Sequence, residues 1–235
     1  VGDFNRLLGA TRRTTIASGI INLWKHEPQE VADWWHSLPA DHKSRLFLGL
    51  GISHGPLIGE NWGRPIPVTR AYVEKLTALG VPAESLCLAA LGPKMLELSR
   101  DRTAGAHPYL ATPEHTALAR EILGPGKVLA PEQGVVLEPA PARARELARA
   151  AVGHYARLPN YCNNWLRLGF AQEDIDGLSD RLIDGLFAWG DVAAIKARAD
   201  AHLAAGADHV CLQVVTGAGL PEARAVWREL APVLL

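Results

Sequence analysis

Three histidines stand where predicted strands end, and they are the side chains of this sequence best able to transfer a proton. His26, His54 and His107 each follow an apolar stretch of strand length, and Ser53 adds a hydroxyl next to His54. An imidazole changes charge near neutral pH, which suits general acid or base catalysis. A single histidine is more often a structural hydrogen-bonding residue. Their shared position favours an active site, because the sites of parallel α/β proteins gather at strand ends.

A second candidate is an anion site at residues 89–95. An apolar stretch ends there, Gly92 permits close approach of a ligand, and Pro93 begins a helix whose unpaired N–H groups attract negative charge. Lys94 adds a positive charge. A well-capped turn between a strand and a helix explains the same pattern equally well. Residues 105–108, which end the next strand, are predicted to contact the same ligand.

Several familiar sites are excluded by their missing patterns. The sequence has no His-x-His, His-Glu-x-x-His or Cys-x-x-Cys pairing, so we expect no metal site. It has no Gly-x-Ser-x-Gly elbow, which argues against an α/β hydrolase. Residues 49–55, GLGISHG, resemble a dinucleotide fingerprint, but the glycine spacing is wrong and Pro56 follows where that motif requires a helix.

These residues are positioned by an alternation of strands and helices. Strands are predicted at residues 14–23, 46–52, 85–91, 105–110, 128–137 and 209–215, with a helical pattern between neighbouring strands and no hairpin signal. Such an alternation is typical of α/β folds with a parallel sheet. Six strands complete a doubly wound open sheet, whereas a closed eight-stranded barrel needs two more units. We expect residues 1–235 to form a single domain.

Composition indicates an ordinary globular protein. Hydrophobic residues make up 48 % of the chain, charged residues 21 %, and the formal net charge is -1, so nothing favours nucleic acid or an anionic membrane as a partner. No apolar run approaches the roughly 20 residues of a membrane span, and no signal-peptide pattern is present, although the chain begins at Val1. Cys87, Cys162 and Cys211 are odd in number and widely spaced, which predicts reduced thiols in a cytoplasmic protein.

Five stretches of the chain resemble the luciferase-like monooxygenase superfamily, and most of all its actinobacterial oxidoreductases that use the deazaflavin coenzyme F420. They are, in order, ASGIINLW, RLFLGLGISHGP, LAALGPKMLELSRDRTAGAHPYLATPEHTALAREILGPG, LPNYCNNWLRLGF and AWGDVAAIKARADAHLAAGADHVCLQVV. The resemblance implies a (β/α)8 TIM barrel in which the six strands are numbers three to eight and the first two βα units are missing from the chain. It also implies a homodimer and a small-molecule substrate.

The resemblance assigns roles to individual residues. A cis peptide between Gly19 and Ile20 would lie behind the deazaflavin ring, with Asn22 beside it. Ser53 and His54 would face the cofactor, and His54 is the candidate catalytic proton donor or acceptor. The remaining cofactor-binding residues belong to the phosphate loop and its neighbour: Ala90, Gly92, Pro93, Lys94, Met95, Gly105, Ala106, His107 and Pro108. No carboxylate stands at residues 52–54, where the sugar-phosphate dehydrogenases of the superfamily have a Glu, which argues against glucose 6-phosphate as substrate.

Three functions are compatible with this resemblance. The first is an oxidoreductase that transfers a hydride between F420 and a small organic substrate. The second is a flavin monooxygenase that uses FMN, since both kinds of enzyme share the barrel and the phosphate loop. The third is a catalytically inactive barrel that only binds the coenzyme. The Gly- and Pro-rich residues 55–67, with Asn61, Trp62 and Arg64, form either a lid over the substrate or an ordinary surface loop.

Overall fold

The computed structural model describes residues 2–53 and 64–234, which form two compact units. The first unit comprises residues 2–53, 64–107 and 123–128, and the second comprises residues 108–122 and 129–234. Both units alternate strands with helices, as the sequence predicts. All strand pairs with a described register are parallel, because the chain between two paired strands includes at least one helix that returns it to the same end of the sheet.

The first unit is built on a parallel sheet whose central members are strands β3 and β4. Its strands are β1 (Ile16–Ala17), β2 (Ile21–Asn22), β3 (Leu46–Gly51), β4 (Leu86–Leu88), β5 (Gly105–Ala106) and β6 (Val128–Leu129). The order is β1-β3-β4-β5-β6, and β2 also pairs with β3. Strands β3 and β4 read as continuous apolar runs because both of their faces are covered, and Leu48, Leu50 and Leu88 are completely or almost completely buried.

The described part of the first unit has five helices, three of which begin at a proline. They are α1 (Gly2–Ala10), α2 (Pro28–Ser37), α3 (Ala40–Lys43), α4 (Pro65–Ala78) and α5 (Pro93–Arg102), with a 3₁₀ turn at Ala83–Ser85. Proline suits the first helical position because its missing N–H has no partner there in any case. The carboxyl end of α1 is held by Arg45, whose guanidinium donates to the carbonyl oxygens of Leu8, Thr11 and Thr14 and to the Thr11 hydroxyl.

The strand predicted at residues 14–23 is divided in two, and the segment between its halves lies against β3. Two glycines of β3 make this approach possible. A Cβ atom on Gly49 would lie 1.9 Å from the Ser18 carbonyl oxygen, and one on Gly51 would lie 2.7 Å from the Ile20 side chain. The Ser18 hydroxyl donates to the Gly49 carbonyl oxygen at 3.0 Å. The peptide bond between Gly19 and Ile20 is cis, which confirms the expectation drawn from the sequence resemblance.

The second unit is organised around strand β7 (Glu132–Leu137), which pairs with both β8 (Phe187–Gly190) and β9 (Cys211–Val214). Its helices are α6 (Pro113–Leu123), α7 (Pro141–Val152), α8 (Pro159–Arg167), α9 (Gln172–Asp176), α10 (Asp180–Leu186), α11 (Val192–Ala204) and α12 (Leu220–Leu234), with a 3₁₀ turn at Tyr155–Arg157. Val135, Ala188, Ile195 and Leu230 form the centre of its apolar core.

Strand β8 was not predicted from the sequence. It has four residues and follows α10 without an intervening residue, so no turn signal marks its start. A Cβ atom on Gly134 would lie 2.5 Å from the Phe187 ring, so this glycine provides the space in which β8 packs on β7. Strand β8 occupies the edge of β7 opposite β9.

A buried polar chain lies between α6, α11 and β7 of the second unit. The Gln133 amide nitrogen donates to the carbonyl oxygens of Gly134 and Leu186, so its oxygen faces the His202 ring, 2.9 Å from Nε2. This oxygen can only accept, and therefore Nε2 of His202 carries the proton and Nδ1 accepts from the Thr116 hydroxyl at 2.8 Å. Burial, reinforced by the charge of Arg198 and opposed by Glu114, lowers the pKa of His202 to about 4.

None of the helices in the described part of the chain is long and apolar enough to cross a bilayer. Within the same residues the three cysteines form no disulfide, and Cys87 is buried in β4. Cys162 and Cys211 are partly exposed.

The His202 network predicts that the protein loses stability in mild acid. The pKa of His202 is 6.5 in the unfolded chain, which therefore takes up a proton below that pH. The folded protein takes up this proton only near pH 4. Stability due to this group is therefore present above pH 6.5 and decreases as the pH falls, by about 2 kcal/mol between about pH 7 and about pH 5. Urea unfolding at pH 7 and at pH 5 measures this loss of stability.

His202→Gln should reduce the dependence of stability on pH, whereas His36→Gln, at an exposed position, should retain it. Equal pH dependence in wild type and His202→Gln would contradict the prediction.

The glycine contacts predict that Gly49→Ala is destabilising. Its new methyl group would overlap the Ser18 carbonyl oxygen, which is backbone and cannot rotate away. We expect a loss of about 1–3 kcal/mol, the usual range for overpacking, in urea unfolding. Gly9→Ala is the matched control, because no atom lies within 4 Å of its added Cβ and alanine favours the α1 helix. A Gly49→Ala protein as stable as the Gly9→Ala control would show that the segment can retreat from β3.

Candidate functional site

The candidate site lies at the carboxyl edge of the sheet in the first unit. Asn22 pairs with Gly51, Leu50 with Leu88, and Leu88 with Ala106, so the four strands end at the same edge. The residues that follow them leave the sheet side by side, and these are the segments in which the sequence analysis placed Asn22, Ser53, Ala90 and His107. The carboxyl edge of a parallel sheet is where ligands of such folds bind.

One wall of this edge is the Ser18–Ile20 segment between β1 and β2. Ser18 is buried, Gly19 is exposed and Ile20 is partly exposed, so the segment presents backbone and an apolar side chain to solvent. Its position is fixed by its contacts with Gly49 and Gly51 of β3. An apolar surface with a rigid backbone is suitable for contact with one face of a flat ring system.

Hydrogen bonds of the Asn22, Trp24 and Tyr72 side chains fix the turn that follows β2. The Asn22 side-chain oxygen accepts from the Trp24 amide at 2.9 Å, and the Trp24 indole N–H donates to the Ile52 carbonyl oxygen at 2.7 Å. The Tyr72 hydroxyl donates to the His26 carbonyl oxygen at 2.7 Å. Burial, with smaller effects of the Glu27 and Glu30 charges, raises the pKa of Tyr72 to about 12, so this hydroxyl keeps its proton at physiological pH. Ser53, next to Ile52, has a left-handed backbone with φ +66°.

The amino end of α5 has the properties of an anion site. Gly92 is its N-cap in an extended conformation and provides no side-chain cap, and Pro93 occupies the first turn. Pro93 has no N–H, and the Met95 and Leu96 amides donate to the Gly92 carbonyl oxygen at 3.0 and 3.1 Å, so the Lys94 amide is the donor that this helix start offers to a ligand. The helix dipole adds partial positive charge there. Lys94 is exposed, Met95 is partly exposed, and Ala90, two residues after β4, is 1 % exposed. The Lys94 amide, the Lys94 ammonium and the helix dipole therefore lie together at the strand ends.

The end of β5 contributes small buried residues and one histidine. Gly105 and Ala106 are buried, and a Cβ atom on Gly105 would lie 1.9 Å from the Val128 carbonyl oxygen, which explains why glycine stands there. His107 is partly buried, and its amide donates to the Leu88 carbonyl oxygen at 2.8 Å. Pro108 belongs to the second unit, where its carbonyl oxygen accepts from the Glu132 amide at 2.8 Å. The predicted contact residues 105–108 are thus divided between the units.

The candidate catalytic residue, His54, lies outside the residues that the structure describes, together with Asn61 and Trp62 of the predicted lid. Its catalytic role stays a prediction. Arg64 is described and forms the N-cap of α4. Within residues 2–53 and 64–234 no group of three His, Cys, Asp or Glu side chains could hold a metal ion.

Two features of this site were missed in the sequence analysis. Gly49 and Gly51 were considered only as a failed dinucleotide motif, although glycine inside a buried strand signals close approach of another backbone. Trp24 and Tyr72 were not singled out, because a side chain that bonds to a distant carbonyl oxygen leaves no pattern in the sequence.

Comparison with known proteins finds similarity in structure alone. No family model matches the chain, and no curated protein matches its sequence. Among solved structures, an F420-dependent secondary alcohol dehydrogenase in complex with an F420–acetone adduct has a TM-score of 0.75 at 16 % identity, covering 99 % of this chain and 83 % of that one.

Two further structures show the same likeness. The coenzyme F420-dependent tetrahydromethanopterin reductase from Methanopyrus kandleri has a TM-score of 0.67 at 15 % identity, with 100 % of this chain and 87 % of that one covered. The oxygenating constituent of 3,6-diketocamphane monooxygenase from Pseudomonas putida, in complex with FMN, has a TM-score of 0.65 at 14 % identity, with 98 % and 84 % covered. With its parallel strands, intervening helices and these structural neighbours, the chain has the α/β fold of the luciferase-like TIM-barrel proteins, as the sequence resemblance implied.

Proposed function

We propose that this protein is an oxidoreductase that uses coenzyme F420 to transfer a hydride to or from a small organic substrate. The observation that carries the proposal is the carboxyl edge of the first unit, where an apolar backbone wall and a lysine-bearing helix start lie at strand ends on either side of β3. Structures of similar fold include those of two F420-dependent enzymes. The resemblance of the sequence to F420-dependent oxidoreductases supports the same function.

The residues at this edge fit both parts of such a coenzyme. Exposed Gly19 and partly exposed Ile20 offer a flat apolar surface to a ring, and the glycines of β3 hold that surface in place. The amino end of α5 offers the Lys94 amide, the Lys94 ammonium and the positive end of the helix dipole to a phosphate. When bound, F420 supplies the ring carbon C5 that gives or takes the hydride, while the protein orients the ring and covers one of its faces.

Proton transfer to or from the substrate needs a separate group. His54 is the candidate in this proposal, since imidazole titrates near neutral pH and the residue follows Ser53 at the end of β3. Ser53, Asn22 and His107 are proposed as polar contacts of the coenzyme, and Ala90, Gly105, Ala106 and Pro108 as its small or apolar contacts. A homodimer is proposed from the sequence resemblance alone, and a cytoplasmic location from the odd number and wide spacing of the cysteines.

FMN is the second candidate coenzyme, because one structure of similar fold contains it. FMN also combines a flat ring with a phosphate, so the same wall and helix start would serve it. The protein would then be a flavin-dependent monooxygenase. Direct binding measurements distinguish the two coenzymes.

The proposal predicts binding of oxidised F420 at micromolar concentration, measured by fluorescence titration of the full-length protein with F420 and, separately, with FMN. Lys94→Ala should weaken F420 binding about tenfold, because a charge-assisted hydrogen bond to phosphate is lost. Lys75→Ala is the matched control: it removes the same charge from an exposed position in the last turn of α4 and should leave binding unchanged.

Each other outcome of this titration has a definite meaning. Tight FMN binding without a response to F420 would establish the flavin monooxygenase. F420 binding without bleaching of its absorbance by any of a panel of small alcohols and ketones would favour the inactive coenzyme-binding barrel. Binding of neither coenzyme by a folded protein would overturn the proposed function.

A further inference from the structure

We infer that Trp24 is a positioning residue that sets the backbone conformation of Ser53 at the carboxyl end of β3. Ser53 is one of the proposed coenzyme contacts, so the functional part of this inference rests on the proposed function. Its structural part, the coupling of Trp24 to Ser53, stands on contacts within the first unit.

The contact itself joins two neighbouring strand ends. The Trp24 indole N–H donates to the Ile52 carbonyl oxygen at 2.7 Å, although the residues are 28 positions apart in the chain. The preceding carbonyl oxygens of β3 accept from backbone amides: Leu50 from Ala89, and Gly51 from Leu23. Ile52 is the first residue after β3 and is 9 % exposed. Because a buried carbonyl oxygen needs a donor, the indole continues the bonding of β3 by one residue beyond the sheet.

The residue that follows this carbonyl has an unusual backbone. Ser53 has φ +66°, in the left-handed region that residues with a side chain seldom adopt. The peptide between Ile52 and Ser53 contains the carbonyl oxygen that the indole binds, so the hydrogen bond fixes the orientation of that peptide plane. We attribute the retention of the left-handed conformation to this bond.

Trp24 is in turn held by the strand before it. The Asn22 side-chain oxygen accepts from the Trp24 amide at 2.9 Å, and the Asn22 carbonyl oxygen accepts from the Lys25 amide at 3.0 Å. Both bonds close the turn that brings the indole toward β3. Asn22 therefore acts on Ser53 through Trp24, and one continuous set of contacts connects the ends of β2 and β3.

A double-mutant cycle between positions 24 and 53 tests this coupling. Trp24→Phe keeps an aromatic ring but removes the N–H donor, and we expect it to weaken F420 binding about fivefold. Ser53→Gly introduces the residue that adopts positive φ without steric penalty. In the Ser53→Gly background, Trp24→Phe should therefore weaken binding by clearly less than fivefold. If the indole only stabilised the fold, Trp24→Phe would weaken F420 binding by the same factor in the wild-type and the Ser53→Gly backgrounds.

Trp34→Phe is the matched control, because the Trp34 indole N–H also donates a hydrogen bond, but to the Asn5 side-chain oxygen and between α1 and α2. It should leave F420 binding unchanged. An equal effect of Trp24→Phe with Ser53 or with the glycine replacement would overturn the inference while leaving the proposed function intact.

If the wild-type protein binds neither F420 nor FMN, the proposed function fails and the same cycle is measured in urea unfolding. Smaller destabilisation by Trp24→Phe in the Ser53→Gly background would then still support the coupling, and additive effects would overturn it. NMR spectra of ¹⁵N-labelled wild-type and Trp24→Phe protein identify the contact independently of any coenzyme. The indole N–H signal that the variant loses belongs to Trp24, and the Ser53 amide signal should shift in the same variant.

Discussion

The site depends on one steric constraint, which is the absence of side chains at two alternate positions of β3. Gly49 and Gly51 let the Ser18–Ile20 segment lie directly on the strand. Because the chain is held there, β2 resumes with Asn22 opposite Gly51, and the turn that follows brings Trp24 to Ile52. The contact of the Ser18–Ile20 segment with β3 therefore positions the apolar wall, the turn after β2 and the end of β3. Hydrogen bonds of polar side chains then fix the turn.

The two units use polar groups in opposite ways. At the strand ends of the first unit, donors are directed outward: the α5 amino end carries no side-chain cap, and Lys94 is exposed. In the second unit, Thr116, Gln133 and His202 are completely buried and bind one another, so their hydrogen-bonding capacity is used within the protein. A group with all its partners inside the fold contributes to stability and specificity of packing, whereas an uncapped helix end is available to a ligand.

Sequence reasoning predicted what depends on runs of residues and missed what depends on single contacts. Strands β3 and β4 were predicted because doubly covered strands are apolar throughout, and α5 because proline marks a helix start. Strand β8 was missed because four residues directly after a helix give no periodic signal. The cis peptide at Gly19–Ile20 came only from resemblance, and the division of residues 14–23 into two strands was not predicted. The bond from Trp24 to Ile52 has no counterpart in any local pattern. The placement of Pro108 in the second unit likewise depends on long-range packing.

Arg45 couples the local unfolding of residues 8–14 to that of the start of β3. Its one guanidinium bonds to three carbonyl oxygens and a hydroxyl within residues 8–14, and it stands immediately before β3. Residues 8–14 cannot separate from β3 without breaking all of these bonds together. The carboxyl end of α1, the link to β1 and the start of β3 therefore form one cooperative unit of local unfolding, whose amides should exchange with solvent at similar rates although they are some thirty residues apart in the chain.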